Sequence, residues 1–241
     1  MVSKGFKRFT DRLNYFRIDK EVVNVLYSHR ENLADHDKIF LGVNEADYPL
    51  LNVRLSTEQS RIIVTKHLQH TVFVSFIKEL YEEVTEYIRY ILKEAALNGA
   101  DTNRLIGEHN VNMKANEILS KGTKKDIVEY IMNSVFQQLE NERSTLELIK
   151  KIKSKLGLTI NQSMIDEALP YLELRHVFVH SDGKPNADFK VKYPLFRYDQ
   201  KHKVKLTNEV LNNAYEKVCK LLEKMDKEMI RLNYISESEK I

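Results

Sequence analysis

The sequence predicts an all-α protein, an antiparallel helical bundle with an N-terminal helical extension. Three observations carry this. Only 7 of the 241 residues are glycine and 4 are proline, while 30% are charged, a balance that suits long helices better than strands and tight turns. Apolar residues recur at intervals of three and four over several long stretches, the period of one helix face. Capping residues and glycines stand where those stretches begin and end.

Residues 1–55 form the extension, packed on a main helical domain of residues 56–241. Phe6, Phe9, Leu13 and Phe16 share a helix face, and a second short helix is predicted over Lys20–Leu33. Asp35–Leu55 contains Gly42 and Pro49 and reads as loop, with one short strand at Ile39–Val43. Ser56-Thr57-Glu58-Gln59 matches a capping box, in which the Ser hydroxyl and the Gln side chain satisfy free amides at a helix start. A helix of about 40 residues follows, with Ile62, Leu68, Val72, Phe76, Leu80, Val84, Ile88, Ile91 and Ala95 on its apolar face and Asn98-Gly99 at its end. Ala100–Lys121 is a polar connection with room for a short helix.

A single helix is then predicted from Thr123 to Gly157, lined by Ile127, Ile131, Val135, Leu139, Leu146, Ile149 and Ile152. The next opens at Ser163-Met164-Ile165-Asp166, and Pro170 should kink it by removing an amide donor. Its distal part, His176-Val177-Phe178-Val179-His180, also alternates like a strand. Asp182–Leu206 is a long connection in which Phe189–Tyr193 and Lys203–Leu206 alternate, predicting a small β-hairpin near 189–206. The last helix spans Asn208–Tyr234, with Leu211, Ala214, Val218, Leu222, Met225, Met229 and Leu232 inward.

The net charge of +3 is too mild to imply a nucleic-acid partner by itself. Cys219 is the one cysteine, which excludes a disulfide framework and a Cys-based zinc site. No apolar run approaches the ~20 residues needed to span a bilayer. The first residues scatter Lys4, Lys7, Arg8, Asp11 and Arg12 where a signal peptide would be apolar. A soluble cytoplasmic protein is expected, with no membrane partner.

The chemistry concentrates in Leu172-Glu173-Leu174-Arg175-His176-Val177-Phe178-Val179-His180-Ser181-Asp182-Gly183. Arginine forks onto phosphate oxygens, and histidine moves protons near neutral pH. Together they are a minimal kit for phosphodiester chemistry without a metal or cofactor. The spacing alone is weak. Arg30/His36, Arg61/His67, Arg104/His109 and Arg197/His202 share it. Context separates Arg175/His180: a polar residue follows the Arg, the pair brackets the apolar Val177-Phe178-Val179, and it lies late in the chain between long helices.

In these features the segment resembles the Arg-x4-6-His motif of the HEPN superfamily (higher eukaryotes and prokaryotes nucleotide-binding), in which Asn, Asp or His often follows the Arg. The resemblance implies a helical motif segment and a metal-independent endoribonuclease of the toxin–antitoxin or abortive-infection type, acting in phage defence. It also implies a homodimer whose two motifs build one composite site. Arg175 would bind the phosphate, His180 would transfer protons, and His176 would orient the site. On an ideal helix Arg175 and His180 point about 140° apart, so their convergence needs the Arg's long arm or a distortion of the helix end. Some members carry a Tyr two residues after the motif His that a partner enzyme adenylylates. Asp182 stands there, which leaves an antitoxin protein that simply covers the site.

Glu79 and Glu83 are candidate carboxylates to orient Arg175. Candidate RNA contacts are Lys4, Lys7 and Arg8, among the aromatic residues of the N-terminus, and Lys201 and Lys203 in the predicted hairpin. Each has a blander reading, as an amphipathic helix docked on the bundle or a charged exposed turn. His-x3-His is also metal-ligand spacing, but Val177 stands where a zinc protease needs Glu. Glu173-x-x-His176 matches half of a di-iron element, and no second copy exists. The function expected is therefore RNA cleavage by 2′-hydroxyl attack. The alternative is a non-catalytic helical module for nucleotide binding or protein interaction.

Overall fold

The computed structural model describes residues 1–33, 47, 58–107, 115–140 and 144–241. Among them nine α-helices form a bundle: α1 (Lys4–Ser28), α2 (Glu58–Leu97), α3 (Thr102–Ile106), α4 (Ala115–Leu119), α5 (Lys124–Glu140), α6 (Thr145–Leu156), α7 (Gln162–His180), α8 (Ala187–Lys192) and α9 (Asn208–Arg231). The predicted loop at Asp35–Leu55, its strand, and Ser56-Thr57 of the capping box fall almost wholly outside the described residues.

Side-chain pairings fix the helix directions. Arg8 meets Glu86, Arg12 meets Glu83 and Asn24 meets Gln69, so α1 runs antiparallel to α2. Ser3 bonds Asp226, Lys20 bonds Asn212 and Asn24 bonds Asn208, so α1 is also antiparallel to α9. Glu167 with Lys217 and Tyr171 with Asn213 set α7 antiparallel to α9. The bundle thus alternates direction, as short-range packing of helices on one core favours.

The core is continuous from α1 to α9. Phe9, Leu13, Phe76, Ile77, Leu80, Ile91, Leu139, Ile165, Leu174, Leu211 and Met229 are almost completely buried in one cluster. The N-terminal helix belongs to this core. Gly5 lets α1 come close, because a Cβ there would lie 2.2 Å from the Tyr90 ring. The fully buried Asp226 on α9 accepts from the Ser3 amide at 2.8 Å, the Ser3 hydroxyl, and the Tyr87 hydroxyl on α2 at 3.1 Å. Three donors replace the water this carboxylate loses. Burial, reinforced by Asp226, pushes the Tyr87 hydroxyl well above its usual pKa. Two residues on in α9, Glu228 is held down to about 2 by its hydrogen bond to Arg231, with help from Lys224 and the Thr159 amide.

Three expectations need correction. Among its described residues the extension carries one 25-residue α-helix, followed by a 3-10 turn at Arg30–Leu33, where the sequence predicts a second short helix over Lys20–Leu33. Nothing in Phe16–Lys20 breaks α1, and the buried Lys20 finds Asn212 as a partner. The predicted helix at 123–157 is two, because Ser144 is extended (φ −147°, ψ 131°) as the N-cap of α6. Gly157, in the left-handed region at φ 65°, ends α6 as expected. Phe189–Tyr193 is helix α8, not a strand: the Asn186 side chain accepts from the Phe189 amide at 2.9 Å and starts it. Phe189 and Tyr193 then share one face with ring centroids 4.9 Å apart, while Val191 is exposed. What remains of the hairpin is a single antiparallel bridge, Tyr198 with Val204, flanked by backbone bonds between Asp199 and Lys203 and between Lys205 and Arg197. α7 begins at Gln162 and carries the buried Pro170 inside it.

Candidate functional site

The motif lies in the last two turns of α7, which settles the helix-or-strand ambiguity in favour of helix. α7 packs against α2, α6 and α9. It therefore buries residues around most of its circumference, including Leu169, Leu172, Leu174, Val177 and Phe178. At its C-terminal end polar side chains reach solvent: Arg175 is half-buried, and His176 and His180 are exposed beside Val179. Beyond His180 the chain reverses through Asp182 (φ 50°) and Gly183 (φ 78°). The amides of Ser181 and Gly183 both return to the Val177 carbonyl at 3.1 Å, satisfying a helix-end acceptor. Lys203 and Val204 then pin the turn, through a 2.6 Å ion pair to Asp182 and a 2.9 Å bond to the Gly183 carbonyl.

Arg175 leans back onto α2. Its Nη2 lies 3.3 Å from Glu82 Oε1, and its guanidinium stands 5.2 Å from the Tyr81 ring centroid. Its Nε is shielded from solvent and has no hydrogen-bond partner among the described residues. Burial pushes the Tyr81 hydroxyl pKa up, and the Arg175 charge opposes that rise. The His176 and His180 rings lie one helical turn apart, 4.7 Å between centroids. They form one exposed imidazole pair at the helix end.

A cavity of about 500 Å³ opens beside the motif, between α2, the ends of α5 and α6 that face each other, α7 and α8. Arg175 and His176 line it, but His180 does not. Leu148, Leu172, Val177 and Phe189 give it apolar walls, and Glu140, Glu173, Asp188 and Lys192 give it charge. Lys192 holds Glu173 at 3.1 Å, and Arg89 reaches Glu140 at 3.5 Å. Burial, reinforced by Glu173, pushes the Tyr193 hydroxyl far above its usual pKa.

The predicted Arg-orienting carboxylates are displaced. Glu83 turns to α1, where Arg12 Nε lies 3.1 Å away, and burial raises its carboxyl pKa against that attraction. Glu79 makes no ion pair among the described residues. Glu82 holds Arg175 instead, because α7 crosses the face of α2 that bears residues 81 and 82, about 100° from residue 83. The basic N-terminus is also elsewhere: Lys4 pairs with Glu239, Lys7 with Asp11 and Arg8 with Glu86, and none of them lines the cavity. Lys203 does come to the motif through Asp182, and Lys201 stands exposed at the neighbouring turn.

Spacing along the chain pointed to neither Tyr81 nor Lys192 nor Asp188, because they reach the cavity from α2 and α8 rather than from the motif helix. Among the described residues no group of three or more His, Cys, Asp or Glu side chains is placed to hold a metal ion, and no helix is long and apolar enough to cross a membrane. Comparison with protein-family models, with curated proteins and with solved structures found no match to this chain.

Proposed function

We propose that this protein is a metal-independent endoribonuclease whose working groups are Arg175, His176 and His180. The observation that carries the reading is the end of α7. A guanidinium whose solvent-shielded Nε has no hydrogen-bond partner among the described residues lines a cavity beside an exposed pair of imidazoles. Arg175 binds the scissile phosphate and stabilises charge on its oxygens. An imidazole takes the proton of the adjacent 2′-hydroxyl, whose oxygen attacks phosphorus in line. The P–O5′ bond breaks, and the leaving oxygen takes a proton from an imidazolium. Proton transfer of this kind contributes about 10²–10⁴ in rate. Because His180 stands outside the cavity that Arg175 lines, His176 is the imidazole nearer the phosphate. A homodimer bringing two motifs together would supply acid and base from different chains. The biological setting that fits is a toxin or phage-defence effector neutralised by a covering protein.

A second reading, a non-catalytic module that binds nucleotides or a protein, draws support from the ion pair between Arg175 and Glu82, which a phosphate has to displace. End-labelled RNA separates the two. Cleavage should persist in EDTA, leave 2′,3′-cyclic phosphate and 5′-hydroxyl ends, and spare the matching DNA, which lacks the nucleophile. Intact RNA at micromolar protein, or 3′-hydroxyl ends, would refute the nuclease reading.

A further inference from the structure

The cavity beside Arg175 has more room and more polar groups than a phosphate needs. We propose that it is a base-reading subsite that takes guanine from the nucleotide next to the scissile phosphate, with the Asp188 carboxylate accepting hydrogen bonds from the base. This inference rests on the ribonuclease reading of the same site. Its volume of about 500 Å³ lies within the ~300–1,000 Å³ range of small-molecule pockets. Apolar side chains from α6, α7 and α8 give ring faces something to pack on, and Arg175, the proposed phosphate contact, lines the same cavity.

The base follows from the acceptors. Three carboxylates line the cavity, and two are already engaged: Glu173 with Lys192 and Glu140 with Arg89. Asp188, in the first turn of α8, is an exposed residue of the cavity lining and has no ion-pair partner among the described residues. A carboxylate has two adjacent acceptors and no donor. Guanine alone among the four bases presents two adjacent donors on its Watson–Crick edge, N1–H and the 2-amino group. In adenine and cytosine the amino group adjoins a ring nitrogen that accepts. In uracil the single N–H lies between two carbonyl oxygens. A bidentate match of this kind discriminates by about 1–3 kcal/mol, or roughly five- to 150-fold.

Isothermal titration of the full chain with 3′-GMP, 3′-AMP, 3′-CMP, 3′-UMP and 3′-IMP tests this without relying on turnover. The expected order places 3′-GMP tightest by about tenfold or more, with 3′-IMP weakened because it lacks the 2-amino group. Asp188→Asn should erase the difference between the nucleotides, and circular dichroism should show the fold intact, since Asp188 is a surface residue. Equal binding of all five, preference for another base, a guanine preference that survives Asp188→Asn, or no binding at all would each overturn the subsite. The products from labelled RNA judge the nuclease reading separately. RNA cut without regard to guanine leaves that reading standing and removes this one. Guanine-selective binding with uncut RNA does the reverse.

Discussion

Arg175 has three environments at once: the Glu82 carboxylate at Nη2, the Tyr81 ring beneath the guanidinium, and a dry Nε with no partner among the described residues. A planar five-donor fork can keep one carboxylate contact and still present another edge to a phosphate, whereas an ammonium cannot. Arg175→Lys should therefore fail to rescue the loss seen in Arg175→Ala. His180→Ala should slow RNA cleavage by about 10²–10⁴. Both histidines are exposed, so their replacement should move stability by no more than about 0.5 kcal/mol. His176→Ala tells more than a supporting role would suggest, since His176 shares the cavity with Arg175 and His180 does not. A loss comparable to that of His180→Ala is expected. Initial rates on a fluorogenic RNA, with melting temperatures alongside, measure both effects. Wild-type turnover in His180→Ala would remove the proton-transfer assignment.

Long elements were legible because their periodicity runs for many turns. α2 and α9 match the expected spans closely, and the Arg–His segment was visible as a motif. Short-range decisions were less legible. α6 starts anew at the extended Ser144, and α8 depends on the Asn186 cap, so alternation at Phe189–Tyr193 pointed to the wrong period. Partners across helices were not legible at all. Which of Glu79, Glu82 and Glu83 meets Arg175 depends on how α7 crosses α2, and no spacing along one chain records that. Asp226 is the sharpest case. Between Met225 and Lys227 it reads as a solvent-facing residue, yet it is completely buried and joins α1, α2 and α9 through three donors. Asp226→Ala strands those donors away from water, each costing about 1–3 kcal/mol if left unpaired. A loss of about 3 kcal/mol or more in urea unfolding is expected. Asp226→Asn should cost less, because its carbonyl keeps part of the network while its amide faces a donor. Unchanged unfolding in Asp226→Ala would show that α1 docks by its apolar face alone.

At the scale of the whole molecule, the question is whether one chain holds a complete site. Within a chain the two imidazoles are 4.7 Å apart between ring centroids, both on one exposed helix end, with one arginine beside them. In-line displacement needs the base and the acid on opposite sides of phosphorus, and two neighbouring rings one turn apart on one helix face stand on the same side. A second copy approaching the end of α7 across a two-fold axis would put its own imidazoles on the far side. Such an interface is self-complementary by symmetry, and the exposed Val179 beside His180 gives it an apolar contact. Mixing experiments distinguish a shared site from an independent one. If each chain acts alone, adding folded His180→Ala protein to a fixed total should lower activity in proportion to the wild-type fraction. If both copies must contribute a histidine, only wild-type pairs cut, and activity should fall with the square of that fraction once subunits have exchanged. Light scattering should then report a dimer at working concentration, and activity per chain should drop on dilution below the dissociation constant. A linear mixing curve from a chain that remains monomeric would place acid and base in one protomer, which requires α7 to distort on substrate binding so that His176 and His180 separate around the phosphate.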